Sequence, residues 1–323
     1  MRAPVLTLVL LVALALAMGL GETSLSAHQY VQAFADPASA PAEILWTIRA
    51  PRAVAAAVVG AALGLAGAVM QGLLRNPLAD PGVLGVSAMA ALGAAATIAL
   101  GLTLPGAVEL AALAGALMAG ALVVFLAIRL REPDALILFG VALSALGGAL
   151  TALIFNLSPS LVTTSEVLHW LMGSVANRDW GDIAAGLAPM ALGAGLTVYA
   201  ARGLRMLTLG EETAALSGLP MARLRAAAVA GAALLTGAAV AMAGVIGFVG
   251  LAAPHLVRGG VSDDPARTLA PSALAGAILL VLADLAARMI PTSEELKLGV
   301  VTALFGAPLF ALVAWRASRS WRT

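Results

Sequence analysis

Ten times along this chain the sequence turns apolar for a long stretch, at approximately 4–20, 53–74, 83–104, 108–128, 135–157, 183–201, 226–243, 248–257, 270–287 and 298–315. At about 1.5 Å of rise per residue, most of these runs are long enough to cross about 30 Å of hydrocarbon. Lipid offers the backbone no hydrogen bonds, so a spanning segment of this kind has to satisfy its own N–H and C=O groups as a helix. The expected fold is an all-α polytopic membrane protein of about ten transmembrane helices, with residues 1–323 forming one transmembrane domain. The run at 248–257 is short, and must be tilted, broken or partly buried in protein.

Composition agrees with that solvent. Mean hydropathy is +1.00, and aromatics are only 4% of a chain rich in Ala, Leu, Val and Gly. Small residues of this kind let helices pack closely in a membrane. The formal net charge of +1, with no basic run interleaved with aromatics, gives no footprint for nucleic acid. Cysteine is absent, which excludes disulfides, thiolate metal sites and thiol nucleophiles. The first apolar run follows Arg2, and SLSA at 24–27 has the small residues of a signal cleavage site. Its length and the many spans after it favour a retained first helix over a secretory signal.

With the N-terminus inside, Arg2, Arg75, Arg129, Arg131, Arg202, Arg205, Arg223, Arg225, Arg258, Arg267, Arg316, Arg319 and Arg322 fall on the cytoplasmic side. Arg49, Arg52, Arg178, Arg288 and Lys297 fall outside, a split of thirteen to five that supports this orientation. Both termini are then cytoplasmic. Residues 207–225 become part of the longest cytoplasmic loop, while 21–52 and 158–182 lie outside. The first outer segment is too long for a tight turn and should hold a small surface helix. The second carries Trp170 and Trp180, suited to a membrane interface, and Gly173 suggests a break between two short helices. A shared small-residue rhythm between 60–72 and 231–244 hints at duplication, a cheap similarity in Ala/Gly-rich helices.

Catalytic chemistry is thin. Lys297 is the sole lysine and follows Leu296, so there is no Gly-Lys-Ser/Thr phosphate loop. No GxSxG elbow or HExxH pair occurs, and His28, His169 and His255 are scattered, so neither a catalytic constellation nor a metal site is expected. His255 reads as a packed histidine at a helix start after Pro254, and His169 as the better candidate to meet a ligand. Asp284 is the clearest ionisable group within an apolar run, with Arg288 one turn later. A salt-bridged structural pair is the plainer reading of the two, and a proton-coupling site the sharper one. Arg49 and Arg52, held by Pro51 just before the second run, could snorkel to headgroups or receive carboxylates of a soluble partner.

IRAPR (48–52), GAALGLAGAVMQGLLRNPLADPGVLGVSAMAALGA (60–94), LGEETAALSGLP (209–220), AGVIGFVGLAAPHLVRG (243–259) and LADLAARMIPTSEELKLGVVTALFGAPLF (282–310) together resemble signature stretches of FecCD-type ABC importer permeases. These are the membrane subunits for iron-siderophore, haem and cobalamin uptake. The resemblance implies the type II ABC importer permease fold and a bacterial inner-membrane location. It also implies a homodimer or close heterodimer with its pathway along the subunit interface, two cytoplasmic ABC ATPase subunits that carry ATP and Mg, and a periplasmic substrate-binding protein. No cofactor is implied on this chain, which would be a transport subunit rather than an enzyme.

Residue by residue, the resemblance implies that Gly210, Glu211, Glu212, Ala215, Gly218, Leu219 and Pro220 form the ATPase-coupling segment, as two short helices. Glu211 and Glu212 would sit at a helix N-terminus, where negative charge is favoured, with Arg223 and Arg225 holding the next helix. Arg49, Arg52 and Arg288 look like docking arginines for the binding protein. Asn76, Pro77 and Leu78 resemble a re-entrant stretch near the cytoplasmic gate, and Thr163, Thr164, His169, Trp170 and Met172 a pathway lining. Ala50 stands where the family often has Leu, and Lys297 where Pro is common, which puts the shape of the outer turn in doubt. The expected cargo is a bulky iron chelate, siderophore or haem, with cobalamin as the alternative. An ion-coupled secondary transporter centred on Asp284 is the rival from another class.

Overall fold

A computed structural model describes residues 3–21, 23–102, 104–129, 133–158, 160–258, 264–290 and 295–320. Arg2, Arg131 and Arg322 of the charge argument lie outside them, as do residues 259 and 291–294 of the family-like stretches. All ten apolar runs fold as helix. They are α1 (Ala3–Gly19), α4 (Ala50–Leu73), α5 (Val86–Ala99), α6 (Ala107–Arg129), α7 (Pro133–Leu157), α9 (Trp180–Leu207), α11 (Met221–Ala243), α12 (Val249–Arg258), α13 (Pro265–Met289) and α14 (Leu298–Ser320). Four short helices join them: α2 (Ala27–Ala35), α3 (Ala40–Glu43), α8 (Leu161–Leu171) and α10 (Glu211–Leu216).

The expectation of ten spans is met in part. Among the described residues six helices are long and apolar enough to cross a membrane; α1, α5 and the apolar part of α14 are shorter, and α12 has only 10 residues. The outer segment 21–52 does carry surface helices, α2 and α3. A π-helical turn over Ile44–Arg49 then runs into α4, giving a continuous helix of 34 residues. Two local expectations fail. Segment 158–182 breaks at Gly173 (φ 72°) as expected, yet holds one short helix rather than two, because the Asp179 side chain caps α9, which continues through Pro189 for 28 residues. Segment 207–225 likewise holds one short helix, since residues 221 onward are strong helix formers without a breaker and belong to α11. His255 sits inside α12 rather than at its start.

Burial separates a centre from a rim. Of the most apolar stretch of α11, 83% is buried inside the chain, against 22% for α7. The centre is α4, packed most extensively on α13 and also touching α11, α12 and α9. Lipid tails are as apolar as leucine, so the contact has to come from close packing rather than water exclusion. Gly60 and Gly276 provide it: a Cβ on either would run into the carbonyl oxygen of the other. Gly60→Val is therefore expected to lower stability by at least ~1–3 kcal/mol, the usual cost of overpacking. Gly148→Val, whose Cβ would meet nothing within 4 Å, is the matched control. Thermal unfolding of both variants in detergent measures the difference.

Candidate functional site

The segment between α9 and α11 forms a small knob around one short helix. Gly210, at φ 101°, turns the chain out of α9, and α10 begins at Glu211, so Glu211 and Glu212 occupy the first turn, beside the unpaired N–H groups. The helix closes where Gly218, at φ 84°, donates its N–H to the Ala215 carbonyl at 3.0 Å, and Leu219 donates to Ala214 at 3.1 Å. Pro220 then leads into α11. Ala214 is buried against the protein, while Glu212, Ala215, Gly218 and Pro220 are exposed and Leu216 is 84% exposed. Arg225, buried on α11, reaches back to Glu211 Oε1 at 2.6 Å. That pair ties α10 to α11.

The opposite end of the molecule holds an ionic cluster. Arg52 Nε donates to both oxygens of Asp284, at 3.0 and 3.1 Å, and its Nη1 donates to Glu295 Oε2 at 3.1 Å. Its Nη2 reaches Asp284 Oδ1 at 2.8 Å and Glu295 Oε1. Arg288 Nε lies 3.3 Å from Asp284 Oδ2, while its Nη2 donates to the Ala17 carbonyl at 3.1 Å. Arg49, 5% exposed, donates to the carbonyls of Met18 (3.1 Å) and Thr23 and to the Tyr30 hydroxyl (3.1 Å). All three arginines thus bind within the chain, and a docking partner would have to compete for them. Two positive charges meet two negative ones around an Asp284 side chain that is 3% exposed.

The segment after α4 is held by local bonds. Arg75, at φ 50°, reverses the chain, and Asn76 Oδ1 accepts the Leu78 N–H at 2.9 Å. Pro77 borders a pocket of about 320 Å³ together with Gln71, Arg75, Thr208, Arg258 and Thr268. Gln71 is 2% exposed, accepts from Arg258 Nη2 at 2.7 Å and donates to the Leu251 carbonyl at 3.3 Å, joining α4 to α12. Next to it, burial pushes the Asp80 carboxyl upward, against the pull of the 2.7 Å hydrogen bond it accepts from Gly82 N–H.

The third group lies on and after α8. Ser160 caps this helix, Thr163 and Thr164 are half-buried on its first turn, and His169 is exposed near its end. Trp170 packs on the core. Met172 lines an open pocket of about 650 Å³ with Val245, Gly299, Val300, Ala303 and Leu304. Backbone bonds lock its floor: Gly299 N–H donates to the Met172 carbonyl and Leu298 N–H to Gly173, both at 3.0 Å, and Ser174 N–H donates to Ala243 at 2.8 Å. The ends of α8 and α11 and the start of α14 are therefore one unit. Outside it, α7, α8 and α14 expose Leu138, Val141, Leu153, Leu161, Leu304 and Phe305, as α1, α6 and α9 expose Leu8, Leu110 and Val198.

The fold is that of a polytopic helical membrane protein with a short helix set between α9 and α11. The chain belongs to the FecCD transport family, which it matches over residues 8–316. It is 43% identical to an uncharacterised ABC transporter permease protein, YvrB, of Bacillus subtilis, over 87% of this chain and 81% of that one. Identity is also 43% to the cobalamin import system permease protein BtuC of Halobacterium salinarum, over 83% and 72% of the two chains. The vitamin B12 import system permease protein BtuC of Salmonella typhimurium is 42% identical, over 85% and 84%. A solved structure described as a metal-chelate-type ABC transporter in an inward-facing conformation superposes with a TM-score of 0.88 at 32% identity, covering 97% of this chain and 98% of that one. The chain is therefore the membrane permease of an ABC importer for a bulky ligand, and has no ATPase activity of its own.

Some partners escaped the sequence. Glu295 and Asp284 as ligands of Arg52 lie 243 and 232 residues away, and Gln71 and Arg258 are 187 apart. Glu211 with Arg225 was within reach, since the Gly218-Leu219-Pro220 turn brings residues on either side of it together.

Proposed function

We propose that this chain forms, as a homodimer, the permease of an ATP-driven importer for a cobalamin-type corrinoid. The observation that carries the cargo is the 42–43% identity to cobalamin permeases over more than four fifths of this chain. The sequence-based preference for an iron chelate thereby yields to its alternative; the metal-chelate description of the structural neighbour keeps siderophore or haem as the second reading. Each chain contributes about ten membrane-embedded helices, with both termini in the cytoplasm of a bacterium and the protein in its inner membrane. Two ATPase subunits seat on 207–225, and their closure around ATP and Mg moves α9 and α11. The apolar face of α7, α8 and α14 meets its twofold copy and lines the pathway with Thr163, Thr164, His169, Trp170 and Met172, while Asn76, Pro77 and Leu78 gate the cytoplasmic mouth. A substrate-binding protein docks at the end that holds Arg49, Arg52 and Arg288, its carboxylates competing with Asp284 and Glu295. Asp284, already shared by two arginines, is better suited to a structural role than to carrying a proton.

The test adds binding proteins loaded with cobalamin, with a ferric siderophore or with haem to the permease and its ATPase in liposomes. Stimulated ATP hydrolysis with the cobalamin-loaded protein alone is the expected result. Stimulation by a siderophore- or haem-loaded protein, with none by cobalamin, would reassign the cargo.

A further inference from the structure

Between the first turns of α6 and α9 and the last turns of α11 lies a pocket of about 350 Å³. Its rim is ionic. Arg178 donates to Glu109 Oε1 at 3.1 Å and lies 3.8 Å from Asp182 Oδ2. One cation therefore faces two carboxylates, and both acids keep about a third of their side-chain surface open, 36% for Glu109 and 35% for Asp182. The rim carries an excess of negative charge that a second cation would neutralise. Its walls are apolar, with Leu110, Leu113, Ala238 and Met242 running down from the acids.

Arg178 supplies an unmatched donor. Its Nε is buried and finds no hydrogen-bond acceptor among the described residues, while its Nη1 is paired with Glu109. A buried donor of this kind favours a ligand that brings an acceptor, such as a phosphate oxygen.

Depth is marked by tryptophans. Trp180 and Trp46 are 50% and 40% exposed, and Trp180 Nε1 donates to the Trp46 carbonyl at 3.2 Å, beside the start of α9. Exposed tryptophans at helix ends mark the level of lipid headgroups. The pocket therefore opens where headgroups are and continues where acyl chains are. Its volume lies within the ~300–1,000 Å³ of small-ligand sites.

We propose that this pocket binds the headgroup of a phospholipid carrying a primary amine, with phosphatidylethanolamine as the representative. The ammonium sits between Glu109 and Asp182, the phosphate faces Arg178, and the first acyl segment lies along Leu110, Leu113 and Met242. A soluble amine would leave those apolar walls uncovered. The orientation proposed above decides only which leaflet supplies the lipid.

The test delipidates the purified full-length chain in detergent and counts bound lipid by native mass spectrometry. Phosphatidylethanolamine, its mono- and dimethyl derivatives, phosphatidylcholine and phosphatidylglycerol are compared. The expected result is one phosphatidylethanolamine per chain, bound about tenfold more tightly than phosphatidylcholine or phosphatidylglycerol, with affinity falling at each methylation. Glu109→Gln is expected to remove most of that preference, with a smaller loss for phosphatidylcholine, whose ammonium keeps the charge but has no N–H to donate. Equal retention of the three parent lipids by the natural chain overturns the proposal, as does an unchanged preference in Glu109→Gln. Soluble phosphoethanolamine competing as well as the lipid would overturn the assignment to membrane lipid. Should Glu109→Gln fail to fold, the methylation series on the natural chain decides alone.

Discussion

Arg52→Ala is expected to destabilise this protein by about 3–5 kcal/mol, the cost of removing one partner from a buried ion pair. Arg52 is the hub of its cluster. Its side chain is 13% exposed and serves Asp284, at 3% exposed, and Glu295 together. Without it Asp284 and Glu295 face one another with Arg288 left to offset them, and Arg288 already holds the end of α1 through the Ala17 carbonyl. Arg52→Lys should fall in between, since an ammonium keeps the charge but cannot form the planar fork to two acids. Asp284→Asn should also destabilise, and a double-mutant cycle with Arg52→Ala should show strong coupling, because the two groups share one network. Unfolding midpoints in detergent report each value. A change in Arg52→Ala below about 0.5 kcal/mol, the level of an ordinary surface substitution, would mean that the cluster does not hold α4 to α13. The ion-coupled alternative makes a different forecast for Asp284→Asn: an intact fold with gradient-driven uptake abolished.

How far the fold could be read ahead follows from range. The ten apolar runs were visible because a lipid-embedded helix writes its whole requirement into consecutive residues, and every one of them is helical. Which of them cross the membrane unaided was not, because a 10-residue helix such as α12 depends on the neighbours that bury Val249, Ala253 and Val257. The start of α10 was legible from Gly210 and the two glutamates after it, and the Asp284–Arg288 pair from its i,i+4 spacing. The second short helix expected in 207–225 came from resemblance alone, against a run from Met221 to Ala243 that holds no proline. Arg52 shows the limit: one sequence carries no signal that pairs it with acids more than 230 residues away.

The second large effect concerns the knob. Glu212 and Leu216 are both exposed on α10, and their side chains make no hydrogen bond or ion pair among the described residues. Glu212→Lys with Leu216→Asp should therefore leave folding intact while reversing the charge and removing the apolar tip offered to an ATPase groove. Glu211→Lys is a poorer probe, because it also sets a cation against Arg225, now 2.6 Å from the Glu211 carboxylate. Loss of a central anchor of a protein interface commonly costs 2 kcal/mol or more, so ATP-driven transport should fall by more than about tenfold. The direct measurement places the permease, its ATPase and the stimulating loaded binding protein in liposomes and follows cargo uptake. Uptake that requires ATP in the natural chain, and falls at least about tenfold in the folded double variant, is the expected result. Uptake driven by a proton gradient without any ATPase, or a double variant that transports at the natural rate, would contradict ATP-driven coupling through residues 207–225.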